Sequence, residues 1–276
     1  MKKKSNHSTA LLVLVFFTGL SLLLYPSISN YWNASRATKA IVGYTEKISK
    51  MEMAEYRAMW ESAVAYNRDL AARPTRYTLT EEERAVYNSI LDVSGTGIMG
   101  HIEIPSIDVA LPIYHGTAEE TLQVAAGHLE WTSFPVGGAG SHCALSAHRG
   151  LPSAKLFTDL VDLEPGDVFI LQVLDEMLTY EVDQVLIVKP HEIQSLHVEA
   201  QKDYCTLITC TPYGINTHRL LVRGHRIENQ ESGLLRVTAE ALVIDPVLVA
   251  PVIAAPVLLF LIILVFFKPR KKQKEE

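Results

Sequence analysis

From Ile98 to Ile227 the chain is written in short apolar, β-branched runs that proline and glycine interrupt repeatedly. Ile98, Ile102, Ile104, Ile107, Val109, Leu111 and Ile113 fall in runs broken by Pro105 and Pro112, the texture of strands at barrel edges. Residues 141–147, 168–173, 178–188, 204–210 and 219–227 read as further strands, with Glu164-Pro165-Gly166-Asp167 as a turn. Helical segments do not alternate with these strands, so there is no βαβ rhythm. A closed antiparallel or mixed barrel is the architecture that buries many short strands and leaves no edge. The predicted fold is therefore mainly β, a closed β-barrel with short helices.

A helical layer precedes the barrel. Ile41, Ile48, Met51, Met59, Ala63, Tyr66 and Leu70 recur at helical spacing over residues 38–72, and Pro74 ends the run. The segment Arg73-Pro74-Thr75-Arg76-Tyr77 reads as a loop. Thr80-Glu81-Glu82-Glu83 is a capping box that opens a second helix to about Val93, and Ser94-Gly95-Thr96-Gly97 closes the layer. Thr117-Ala118-Glu119-Glu120 reads as a further capping box, opening a short helix to about Ala126.

Both ends carry apolar segments flanked by lysines. Met1-Lys2-Lys3-Lys4 precedes an apolar run over residues 10–25 that meets Pro26, short for a span and fitting either a leader peptide or a compact anchor; a retained anchor is the reading favoured here. Residues 247–267 are apolar and uncharged, and a basic tail follows, as in a membrane-spanning helix with a cytoplasmic flank. Basic clusters at both ends place residues 30–244 outside the cell. The chain divides into a basic tail with leader or anchor (1–29), a helical region (30–97), the barrel (98–230), a linker (231–246), a transmembrane helix (247–267) and a basic cytoplasmic tail (268–276). The net charge is −6 although the two tails are basic, so the part between is more acidic still and nucleic acid is not an expected partner.

Three cysteines in an exported chain of this length make no disulfide framework, and no spacing suggests a zinc site; no metal or cofactor is expected. Cys205 and Cys210 are five apart and point to opposite faces of one strand. Thr211-Pro212-Tyr213-Gly214-Ile215-Asn216 is turn-prone, so Cys210 and Arg219 stand at the two shoulders of a strand–loop–strand unit. A guanidinium beside a thiol favours the thiolate and steadies the oxyanion formed when it attacks a carbonyl. A lone cysteine at a strand end is usually a small buried hydrophobe, the alternative reading of Cys210. A cysteine nucleophile needs a proton acceptor, and the chain holds ten histidines. His148, where a strand meets a glycine-containing loop, and His128 both suit that part.

The stretch Thr206-Leu207-Ile208-Thr209-Cys210 with the following Arg219 strand resembles the sortase signature, and Pro212-Tyr213-Gly214-Ile215-Asn216 with Arg219-Leu220-Leu221-Val222-Arg223-Gly224 resembles the pilus-building class C in particular. Ala147-His148-Arg149-Gly150-Leu151-Pro152 looks like the segment that carries the sortase histidine, and similar stretches run from Gly97 through Gly138. The resemblance implies a sortase-type barrel under an N-terminal helical lid, with Cys210 as nucleophile, His148 as general acid/base and Arg219 steadying substrate or oxyanion. It implies a membrane-anchored cysteine transpeptidase that cuts an LPxTG-like sorting signal after Thr, holds a thioester, and passes the acyl group to a pilin Lys amine. A peptidoglycan amine or water as acceptor are the alternatives, and a non-catalytic adhesin or scaffold is the reading in which Cys210 is ordinary core. Class C lids commonly carry an Asp-Pro-aromatic triplet. None occurs in the helical region, and Tyr77 is the candidate ring in its place.

Overall fold

A computed structural model describes residues 7–72 and 78–229. The basic start Met1-Lys2-Lys3-Lys4, the loop 73–77 with Tyr77, and everything from residue 230 on, the apolar 247–267 stretch included, lie outside the described residues.

Three helices, α1 (His7–Ser49), α2 (Met53–Ala72) and α3 (Glu81–Ser89), lead into β1 (Ile98–Ile104) and β2 (Val109–His115). A single turn of helix, α4 (Glu119–Leu122), precedes β3 (Ala126–His128) and β4 (Ser141–Ser146). β5 (Val168–Val173), β6 (Glu176–Val188), β7 (Asp203–Thr211) and β8 (His218–Arg226) complete the set. These eight strands close in the order β1-β2-β3-β4-β7-β8-β6-β5, and the β1–β5 pairing seals the barrel. The β2–β3 and β4–β7 pairs are parallel and the others antiparallel, so the barrel is mixed.

The core follows from strand alternation. In β5 Phe169, Leu171 and Val173 are buried while their neighbours are partly exposed, the period-two pattern of a strand with one face inward. Phe169 stacks on Tyr180 at 5.5 Å between ring centroids. A side chain at Gly224 would start 2.7 Å from the Phe169 ring. Only glycine admits that ring against β8, which accounts for the glycine that closes the Arg219–Gly224 motif.

Helix α1 contains a segment from Val13 that is long and apolar enough to cross a membrane, and its Leu14, Leu22 and Leu23 are exposed. Residues up to Ile28 belong to one compact unit and residues 29–233 to another. In the second unit the helices are tied to the barrel by buried polar groups. Tyr44 Oη donates to the Met99 carbonyl and accepts from Leu174 N–H, each at 2.8 Å. Asn67 pairs both ways with the backbone of Phe134, at 3.0 and 2.7 Å. Tyr87 lies against His128 and Phe134 and accepts from Gly116 N–H. Tyr44→Phe leaves a buried carbonyl and a buried N–H unpaired, so it is expected to cost about 1–3 kcal/mol. Thermal unfolding checks this, with Tm falling by roughly 2–4 °C for each kcal/mol. An unchanged Tm would mean that this docking contributes nothing to stability.

Three sequence expectations need correction. The single helix over 38–72 is two: α1 begins far earlier, passes through Pro26, and ends at Ser49, where Lys50 and Met51 N–H groups bond only three residues back before α2 starts afresh. Periodicity missed the break because apolar residues on both sides of it, Ile48, Tyr56 and Met59, still pack on the barrel core. Helix α3 stops at Ser89, short of Val93, because Ile90 already has extended backbone with ψ of 130°, and Leu91 then takes a positive φ of 61°. Thr117 caps nothing; α4 has Ala118 at its N-cap with no side-chain bond and ends at Leu122, because Ala126 pairs in parallel with Ile113. By contrast the Thr80–Glu83 capping box is present in both halves.

Candidate active site

β7 and β8 pair antiparallel with Cys210 opposite Arg219 and Thr211 opposite His218, the shoulder-to-shoulder placement that the turn chemistry implied. The loop between them returns on itself through Ile215 and Asn216 N–H bonds to the Pro212 carbonyl. Arg219 Nη1 donates to the carbonyls of Asn216 and His218 at 3.1 and 3.0 Å. The loop therefore fixes the guanidinium, and the sheet fixes the thiol beside it.

β4 brings His148 to the same place. It runs parallel to β7, with Ser146 opposite Ile208, and the two segments stay tied beyond the end of the ladder. Ala147 N–H donates to the Ile208 carbonyl at 3.2 Å, and Thr209 Oγ1 donates to the Ala147 carbonyl at 2.8 Å. One residue past the histidine and the cysteine, Arg149 Nη1 donates to Thr211 Oγ1 at 3.2 Å. Next comes Gly150, with φ of 77°, against which the Tyr213 ring lies so closely that a Cβ would start 2.5 Å from it. His148 and Cys210 are thus bracketed on both sides by cross-ties. Sequence reasoning missed Thr209, Arg149, Thr211 and Tyr213 as supports; the glycine after His-Arg was the one visible signal of a close approach.

Cys210, His148 and Arg219 line one cleft of about 410 Å³, whose walls include Leu129, Trp131, Leu196 and Leu221. An apolar hollow with a few convergent polar groups is the usual form of a binding site. No described residue of the helices α1–α3 lines it. A hollow of about 650 Å³ between α2 and α3 is larger but contains no thiol or imidazole. Among the described residues no group of three or more His, Cys, Asp or Glu is placed to hold a metal ion.

The other candidates fall into structural places. His128 is fully buried, its Nε2 facing the Ser133 carbonyl at 2.8 Å and its Nδ1 facing the Tyr87 hydroxyl at 3.0 Å, so neither nitrogen is open to a substrate. Cys143 and Cys205 are buried side by side on β4 and β7, and burial pushes the Cys205 thiol well above its ordinary range. Cys210 is the half-buried thiol of the three. A thiol, an imidazole and a guanidinium converging on one cleft are the set needed for acyl transfer through a thioester.

The Sortase domain matches residues 102–227, from β1 through β8. Sortase C1 from Streptococcus agalactiae is 47% identical, with TM-score 0.68, over 70% of this chain and 100% of that one. The chain belongs to the sortase family. Two further solved relatives are sortase C from Streptococcus pneumoniae (42% identical, TM-score 0.63, 69% of this chain and 97% of that one) and from Clostridium perfringens with the C-terminal cell wall sorting motif (44%, 0.62, 70% and 100%). Sortases are cysteine transpeptidases, and this sortase has class C relatives among solved structures. The reading as a non-catalytic adhesin or scaffold is set aside by that membership.

Proposed function

We propose that this sortase joins pilin subunits. Cys210 attacks the carbonyl after Thr in an LPxTG-like sorting signal, His148 takes and returns the proton, and Arg219 steadies the oxyanion. The leaving amine departs, and the acyl group waits as a thioester on Cys210. A thioester retains much of the free energy of the broken amide, so a Lys amine of the next pilin reseals the bond without ATP, provided water is kept away. The observation that carries this reading is the convergence of Cys210, His148 and Arg219 on one apolar cleft. The relatives support the class: the Streptococcus pneumoniae sortase C structure is described as giving insight into pilin substrate specificity, and the Clostridium perfringens sortase C structure carries the C-terminal cell wall sorting motif. The apolar stretch of α1 acts as a membrane anchor, with the barrel on the outer side.

The acceptor is decided by product analysis. A sorting-signal peptide is offered together with a pilin domain that carries an accessible Lys and with a peptidoglycan-type amine, in competition. The isopeptide product is expected to dominate. Mainly cell-wall-type amide, or mainly hydrolysed peptide, would contradict the pilin reading while leaving the family intact.

A further inference from the structure

The chemistry proposed above uses one ring nitrogen of His148. The other is already engaged. His148 Nε2 lies 3.3 Å from Glu119 Oε1. Glu119 is the first residue of α4, and its carboxylate is itself held: Gln123 Nε2, one helical turn later, donates to the same oxygen at 3.1 Å. The chain then runs from α4 into β3, whose Gly127 and His128 pair with Ser146 and Leu145 at the end of β4. Glu119, on the helix that leads into β3, and His148, just past the end of β4, are therefore carried on segments that adjoin paired strands of one sheet. The hydrogen bond from Gln123, followed by the charge of His148, holds the Glu119 carboxyl below the usual carboxylate range. An ionised carboxylate only accepts hydrogen bonds, so the nitrogen that faces it must carry the proton.

We propose that Glu119 is a positioning residue: it fixes the neutral His148 tautomer with hydrogen on Nε2, leaving Nδ1 as the nitrogen that exchanges a proton with Cys210 and with the leaving amine. The inference rests on the acyl-transfer reading above. In the first step the S–H bond breaks, its proton goes to the Nδ1 lone pair, and sulfur bonds to the carbonyl carbon. When the tetrahedral adduct collapses, the C–N bond breaks and the Nδ1 proton passes to the amine nitrogen. The Nε2–H bond stays intact throughout, and its hydrogen bond to Glu119 becomes charge-assisted while the ring is an imidazolium. The side chains are 65% exposed at Glu119 and 25% at His148, so solvent screens the attraction, and orientation and tautomer are the larger part of the effect.

The test uses the full chain in detergent micelles, labelled with ¹⁵N at histidine, with the His148 resonances assigned by their loss in His148→Gln. At a pH where the ring is neutral, wild type is expected to show a protonated Nε2 and an unprotonated Nδ1, and Glu119→Ala a mixture of the two tautomers. With a sorting-signal peptide, kcat of Glu119→Ala is expected to fall about tenfold with KM unchanged, the low end of the loss seen when the hydrogen-bond partner that orients a metal-binding histidine is removed. Glu119 lies on the surface of a one-turn helix, so the fold is expected to survive, and an unchanged Tm checks that. Protonated Nδ1 in wild type, the same tautomer in both proteins, or an unchanged kcat would overturn the role of Glu119. Failure of the acyl-transfer reading shows up separately, as a Cys210→Ala protein that still turns over, and the tautomer measurement does not depend on it.

Discussion

Cys210→Ala is expected to remove cleavage of a sorting-signal peptide and formation of any amide product together, a loss on the order of 10³-fold or more. The cysteine sits at the last paired position but one of β7, half-buried, with its backbone held by Arg219 across the ladder. Alanine keeps that backbone and removes the atom proposed to form the thioester. Neither remaining thiol can substitute. Cys143 and Cys205 are enclosed in the barrel core, where no peptide reaches either sulfur, and burial pushes the Cys205 thiol well above its ordinary range, so that sulfur holds almost no thiolate. The loss should therefore come with an almost unchanged Tm. Activity within a few-fold of wild type would show that the sulfur is core filling.

His148→Ala is expected to lower kcat/KM by about 10²–10⁴-fold, the range in which a positioned acid/base contributes. In the proposed mechanism both halves of the reaction use it, first to take the thiol proton and then to protonate the leaving amine. The variant separates His148 from its rival as well. His128 is fully buried, between the Ser133 carbonyl and the Tyr87 hydroxyl, so His128→Ala should act on stability, by opening a hole in that network. Steady-state rates and thermal unfolding of the two variants distinguish the roles. Equal rates for His148→Ala and wild type would remove the imidazole from the mechanism.

Much of the site was legible in sequence because its key pair is local. Cys210 and Arg219 are joined by a turn whose proline, glycine and asparagine announce it, so strand pairing alone brings them together. The helix start at Thr80 was equally readable, since a capping box satisfies backbone donors within four residues. The choice of histidine was different. Ten are present, and what makes His148 special is the parallel pairing of β4 with β7, a contact across 62 residues that no local pattern encodes. Barrel closure through β1 and β5 is non-local in the same way. The break at Lys50 was hidden because the apolar repeat continues past it, and the short α4 because its cap-like residues lie beside a strand that claims Ala126. Glu119 was noted as part of a cap; its approach to His148 depends on where β3 and β4 pair.

The most direct measurement is the mass of the full-length protein after brief incubation with a peptide that carries an LPxTG-like signal, followed by proteolysis to locate the change. The expected result is a mass gain equal to the peptide up to its Thr, on the fragment containing Cys210, that disappears when a Lys-bearing acceptor is added. Consumption of the peptide with Cys210 unmodified at every time point, or an acyl group lodged on another residue, would contradict a thioester on this sulfur.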